Sequence, residues 1–190
     1  GFRAKWLELA ETTAEQNLSA KLTSSKTTTE RFESLRKTLN WSIKPQRIEC
    51  FDVSHSSGEA TVASCVVFDE SGASKSNYRR FNIDNVVAGD DYAALGQAVK
   101  RRFARLKNGE GILPDVLLID GGVGQVSVVK DTLSDLDIKT VEIIGVSKGT
   151  SRKAGMETII LGNHENREIF EPEKPALHLI QQIRDEAHRF

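Results

Sequence analysis

The sequence predicts one mixed α/β domain, a five-stranded sheet flanked by helices and preceded by an N-terminal helical arm. Three observations predict it. Near residue 46 the hydrophobic pattern changes from helical spacing to short β-rich runs; clusters of turn-forming residues separate those runs; and beyond residue 92 helix-like and strand-like segments alternate. With 190 residues and 38% hydrophobic content, the chain can build one well-formed core but not two comfortable ones. Residues 1–45 read as arm and linker, and residues 46–190 as the domain.

The elements follow in order. Leu7, Ala10, Ala14, Leu18 and Leu22 recur at helical spacing and predict an amphipathic helix over 2–22. Residues 23–29 are all Ser, Thr or Lys and predict a polar break, with Thr29 capping a short second helix that carries Phe32, Leu35 and Leu39. These first forty or so residues read as an arm and not as core, and Pro45 ends them. Strands are expected over 47–54, 60–68 and 74–82, antiparallel because Ser56-Ser57-Gly58-Glu59 and Asp69-Glu70-Ser71-Gly72 carry turn chemistry. Tyr92, Leu95, Val99, Phe103 and Leu106 mark the inner stripe of the next helix. Its other faces carry Lys100, Arg101, Arg102, Arg105 and Lys107, which either track a nucleic-acid backbone or form a solvated face. A fourth strand over 115–120 runs into Gly121-Gly122-Val123-Gly124, then a helix with Val126, Val129 and Leu133, and a fifth strand over 141–146. Two short strand-like pieces lie near Ile159 and Ile169. Pro175 opens the last helix, whose inner face is Leu177, Ile180, Ile183 and Ala187.

Composition narrows the function. The 26 Lys+Arg are balanced by 27 Asp+Glu, so the chain does not hold nucleic acid by bulk positive charge; that role needs a local basic face or a partner. Cys50 and Cys65 sit in apolar runs without Cys-x-x-Cys spacing, as expected of buried free thiols in a reducing cytoplasm and not of a zinc site. No apolar run approaches the roughly 18 residues that span a bilayer, and no signal peptide opens the chain, so a soluble cytoplasmic protein is expected. A start at Gly1 without methionine is expected of a piece of something longer.

The acids are the chemical signal. Asp52 lies within one apolar run and Asp120 closes Val116-Leu117-Leu118-Ile119, and a buried lone carboxylate is costly unless it has a partner or a cation. In a mixed sheet the first and fourth strands can be neighbours, which would bring both acids to one ion. Hard carboxylate oxygens favour Mg²⁺ or Mn²⁺ over zinc, and such an ion suits phosphodiester cleavage. Taken singly, Asp52 also reads as a hydrogen-bonded core residue and Asp120 as a turn cap. Asp90 and Asp91 open the basic helix, where one can cap while the other points inward, Asp91 lying nearer the apolar stripe. His188 falls at the edge of the last helix's buried face, with His178 its competitor on that helix, and His55 is near enough to Asp52 to support it. The glycine run after Asp120 lacks the Lys-Ser/Thr pair of a P-loop and the G-x-G-x-x-G spacing of a dinucleotide site, so no small-molecule cofactor is expected. Lys148, Arg152 and Lys153, on the loop after the fifth strand, are candidates for phosphate contacts.

The order of three antiparallel strands, helix, strand, helix, strand and helix is that of ribonuclease H-like folds. Glu49-Cys50-Phe51-Asp52-Val53-Ser54-His55, Tyr78-Arg79-Arg80-Phe81-Asn82-Ile83, Gly89-Asp90-Asp91-Tyr92, Leu118-Ile119-Asp120-Gly121-Gly122 and Ile183-Arg184-Asp185-Glu186-Ala187-His188 closely resemble the C-terminal nuclease domain of UvrC, the endonuclease of bacterial nucleotide excision repair. The resemblance runs from about Gln46 to the end. It implies a ribonuclease H-like, Mg²⁺- or Mn²⁺-dependent endonuclease that cuts damaged DNA on the 5′ side of a lesion. It also implies a catalytic set of Asp52, Asp91, Asp120 and His188, with Asp52, Asp120 and His188 as metal ligands, selecting Asp91 over Asp90 and His188 over His178. Damaged double-stranded DNA and UvrB, with UvrA indirectly, are the implied partners, reached through the full-length protein. Two departures stand out: Val123 where the family often has lysine, removing a possible phosphate contact, and Ser147 in place of alanine before Lys148.

Overall fold

The computed structural model describes residues 2–56, 60–87, 89–148, 157–163, 167–169 and 173–190. In chain order the elements are α1 (Phe2–Thr38), β1 (Arg47–Ser56), β2 (Ala60–Asp69), β3 (Gly72–Ala73), β4 (Arg79–Ile83), α2 (Asp91–Lys107), β5 (Val116–Ile119), α3 (Val123–Asp135), β6 (Glu142–Lys148), β7 (Glu157–Leu161), β8 (Arg167–Ile169) and α4 (Lys174–Arg189). They form one sheet in the order β3-β2-β1-β5-β6-β7-β8, with β4 also paired to β2. The pairs β1–β2 and β2–β4 are antiparallel, while β1–β5 and β5–β6 are parallel.

The mixed α/β class is as expected, and the sheet is larger, with eight strands among the described residues. The expected strand over 74–82 is instead a 3-10 turn at Lys75–Asn77 followed by β4, and the short β3 precedes it at Gly72–Ala73. The short pieces near Ile159 and Ile169 join the sheet as β7 and β8. Ile159, Ile160 and Leu161 are all buried, and so apolar a strand needs cover on both faces. The expected turn over 56–59 lies mostly outside the described residues.

Alternation along β1 divides the core into two layers. Ile48 and Cys50 join Val66, Phe68, Leu179 and Ile183 on the side covered by α1 and α4. Phe51 joins Leu95, Phe103, Leu117 and Val126 on the side covered by α2 and α3. With a period of two, Asp52 shares the face of Cys50, whereas Glu49 shares the face of Phe51.

The arm requires correction. No break occurs at 23–29, and α1 is one helix of 37 residues. Ser and Thr cost only a few tenths of a kcal/mol each relative to Ala, and neither Gly nor Pro is present to stop the helix. Its second half is core, since Phe32 and Leu35, with Leu39 just past its end, are buried against the α4 side of the sheet. Upstream, Trp6, Leu7, Leu9, Leu18 and Leu22 are exposed. Phe32→Ala should therefore cost about 3–5 kcal/mol in denaturant unfolding, while Leu18→Ala should fall within about 0.5 kcal/mol of wild type.

The basic helix also differs from expectation. Arg102 is buried and paired with Glu49, and Arg101 lies over the Phe81 ring and donates to the Asn82 carbonyl. Lys107 donates to the Leu136 carbonyl. Three of the five cations are thus committed to this protein's own groups. Cys50 and Cys65 are buried free thiols, as expected. Among the described residues, no helix is long and apolar enough to cross a membrane.

Candidate metal centre

Parallel pairing of β1 with β5 places Phe51 opposite Ile119, so Asp52, midway along β1, and Asp120, just past the end of β5, follow side by side. The chain then turns at Gly121-Gly122 into α3. Two close approaches hold this corner. A Cβ on Gly145 of β6 would stand 2.4 Å from Val126 Cγ2 and 3.0 Å from the Gly121 carbonyl oxygen. A Cβ on Gly124 would stand 2.9 Å from the Tyr92 hydroxyl. Glycine at the second position lets the start of α2, which carries Asp91, lie against the start of α3.

The end of α4 crosses the same corner. Arg184 and His188 are one turn apart and so share a face of the helix. Arg184 Nη2 lies 2.6 Å from Asp120 Oδ1, and His188 Nδ1 lies 3.2 Å from Asp52 Oδ2. His188 Nε2 is 4.0 Å from Asp120 Oδ2, so the imidazole lies between the two acids. A last helical turn tends to fray because its carbonyls lack partners, and here it is tied down. Ser64, directly opposite Asp52 in the β1–β2 register, donates from Oγ to the Ala187 carbonyl at 3.0 Å. Tyr78 donates to Glu186 Oε1 at 3.2 Å, and the Phe190 ring packs edge-on to Tyr78 beneath the Arg80 guanidinium.

Asp90 caps α2 by accepting from Ala93 N at 3.0 Å. Asp91 instead meets His55, with Nε2 2.5 Å from Asp91 Oδ1 and the other ring nitrogen 3.0 Å from Thr61 Oγ1. His55 therefore partners Asp91 and not Asp52, because residues three apart on a strand face opposite sides. His178 is exposed. Arg152, Lys153 and the Lys148 side chain lie outside the described residues, as does His164.

Burial pushes the Asp52 carboxyl above its ordinary range; His188 pulls it back, and the charges of Asp120 and Asp91 push it further up. Burial, aided by Asp120 and Asp52, also pushes the Cys50 thiol up, so it remains a neutral thiol beneath the acids. Among the described residues, no three His, Cys, Asp or Glu side chains form a ready metal cage. Each sheet acid is paired with a base instead. The donor set still suits a hard divalent ion: two carboxylates and an imidazole meet in one corner, and burial makes the charge of Asp52 costly without a nearby cation.

The family model of the UvrC RNAse H endonuclease domain matches residues 36–190. The chain belongs to that family. Over all 190 residues it is 57% identical to UvrABC system protein C of Pseudomonas fluorescens and covers 31% of that protein. To the protein of the same name from Pseudomonas aeruginosa it is 55% identical, again over 31% of the relative. The chain thus spans about a third of the length of the curated relatives it matches. Among solved structures it is similar to human ENDOV, with a TM-score of 0.45 and 15% identity over 76% of this chain and 84% of that one.

The sequence pattern of the UvrC domain named Asp52, Asp120 and His188, which meet here, and Asp91, whose contact is with His55. It missed Arg184 and Ser64. The spacing of Arg184 four residues before His188 was a usable signal, because any face that presents His188 to an acid presents Arg184 too. Ser64 carried no such signal, since its role depends on strand register.

Proposed function

We propose that this chain is the nuclease module of an excision-repair protein, hydrolysing one phosphodiester of damaged double-stranded DNA on the 5′ side of the lesion. The observation that carries the reading is the meeting of Asp52, Asp120 and His188 where the end of β5 lies beside β1, in a member of a nuclease-domain family. Asp52 and Asp120, with His188, would hold Mg²⁺ or Mn²⁺. When bound, such an ion acidifies the attacking water and offsets the negative charge that grows on the phosphate oxygens. Water adds to phosphorus and the bond to the 3′ oxygen breaks, leaving a 3′-hydroxyl and a 5′-phosphate. His188, 65% exposed and paired with Asp52, would either ligate the ion or pass a proton. Asp91, oriented by His55, adds negative charge at the edge of the site.

With a net charge of −1 the chain has little grip on DNA of its own, and Val123, exposed at the first turn of α3, adds none. Lys148, Arg152 and Lys153 would supply phosphate contacts. The remainder of the full-length protein would bring UvrB, and UvrA indirectly, as the relatives' name suggests, and would add DNA affinity; the reaction would take place in the cytoplasm.

Isothermal titration with Mn²⁺ tests the site directly. Wild type should give saturable binding that Asp52→Asn removes. Absence of binding in wild type would leave a protein-binding scaffold with idle acids as the better reading.

A further inference from the structure

We propose that Arg184 is an exchangeable counter-ion: it neutralises Asp120 while the acids stand alone, and moves to a backbone phosphate of the substrate once a divalent cation takes Asp120. This rests on the nuclease reading above and adds a role for a residue outside the expected set.

Two arginine–carboxylate pairs within this protein differ in kind. Arg102 meets Glu49 as a matched fork, Nε to Oε2 at 3.0 Å and Nη2 to Oε1 at 2.7 Å. That is the geometry in which a guanidinium and a carboxylate satisfy each other, and both groups are buried. Arg184 meets Asp120 through Nη2 at 2.6 Å, and among the described residues its Nε is buried without a hydrogen-bond partner. The Arg184 fork is therefore not matched to one carboxylate, and it keeps a donor to offer elsewhere.

Charge points the same way. Arg184 holds Oδ1 of the carboxylate whose Oδ2 faces His188 and the Asp52 side. A cation on Asp120 would then lie within a few ångströms of the guanidinium, and the two positive charges repel. Arg184 can leave without moving its helix, because Ser64, Tyr78 and Arg80 hold the end of α4 by contacts that do not involve it. A guanidinium freed beside a nuclease centre has a natural acceptor in phosphate, which it binds as it binds carboxylate.

The test is Mn²⁺ titration of the wild type, Arg184→Gln and Arg184→Lys, followed by binding of a duplex oligonucleotide at saturating Mn²⁺. Removing the charge should tighten Mn²⁺ binding by about tenfold, the scale of one partly screened charge a few ångströms away. The same change should weaken duplex binding, whereas Arg184→Lys should stay within about twofold of wild type for Mn²⁺, since it keeps the charge. Equal or weaker Mn²⁺ binding by Arg184→Gln, or unchanged duplex binding, overturns the exchange. If neither wild type nor variant binds Mn²⁺, the nuclease reading itself fails and the exchange falls with it. Wild-type binding with no gain in the variant removes the exchange alone.

Discussion

Asp52→Asn and Asp120→Asn should each lower incision of a lesion-bearing duplex, in a reconstituted repair reaction, by about 10²- to 10³-fold. Loss of one preorganised electrostatic contact to a transition state registers on this scale. Asparagine keeps the shape and removes the charge, so the comparison isolates the charge. Asp52→Asn should also keep or raise the melting temperature at neutral pH. Burial, with the charges of Asp120 and Asp91, holds the folded carboxyl above its ordinary range despite the opposing pull of His188. A group whose folded pKa is raised binds its proton more tightly in the folded state. Stability therefore falls as pH rises from the ordinary to the raised value, and above that window the charged Asp52 is a net cost. The advantage of the Asp52→Asn variant should accordingly shrink as pH is lowered through the carboxylate range. Retained cutting, or a melting temperature well below wild type, would count against a functional acid held at some expense to the fold.

Arg102→Leu is expected to destabilise the protein by about 3–5 kcal/mol, because it strands a buried carboxylate. Glu49 is fully buried in β1, and its oxygens are shared among Arg102, Arg47 at 3.0 Å and the Cys65 thiol at 3.4 Å. Without Arg102, only the single bond from Arg47 and a weak thiol donor remain. For a chain of this size the melting temperature should fall by roughly 10 °C. The double change Glu49→Leu with Arg102→Leu should recover most of that loss, since replacing both members of a buried pair with apolar residues is often near neutral. Thermal unfolding of the three proteins decides it. A double variant no better than Arg102→Leu would mean that packing around the guanidinium, and not the stranded charge, sets the cost. Glu49 lies three residues before Asp52 on the same strand, so the pair also anchors the strand that carries the acid.

Much of this is legible in the sequence. The strands over 47–54, 60–68, 115–120 and 141–146 follow from short apolar runs bounded by turn residues, and α2 and α4 from apolar spacing of three and four. Asp52 and Asp120 showed themselves because acids rarely sit in or at the end of buried runs. The extent of α1 was misread, since a run of Ser, Thr and Lys looks like a break when nothing is known of what covers it. Tertiary contact of its second half with α4 overrides that weak local preference. Arg102 was misread for the opposite reason: a cation on a basic helix looks solvated until a buried glutamate from another strand is placed beside it.

Periodicity and turn chemistry, which act between near neighbours in the chain, were thus enough for the class of fold, most of its elements and the acids worth watching. Which partner each acid keeps was decided by strand order and helix placement alone. Asp120 meets Arg184 from the last helix, Asp52 meets His188, and Asp91 turns to His55. Such pairings depend on distances through space that no local pattern encodes, and they are set only when β5 docks beside β1 and α4 closes over both.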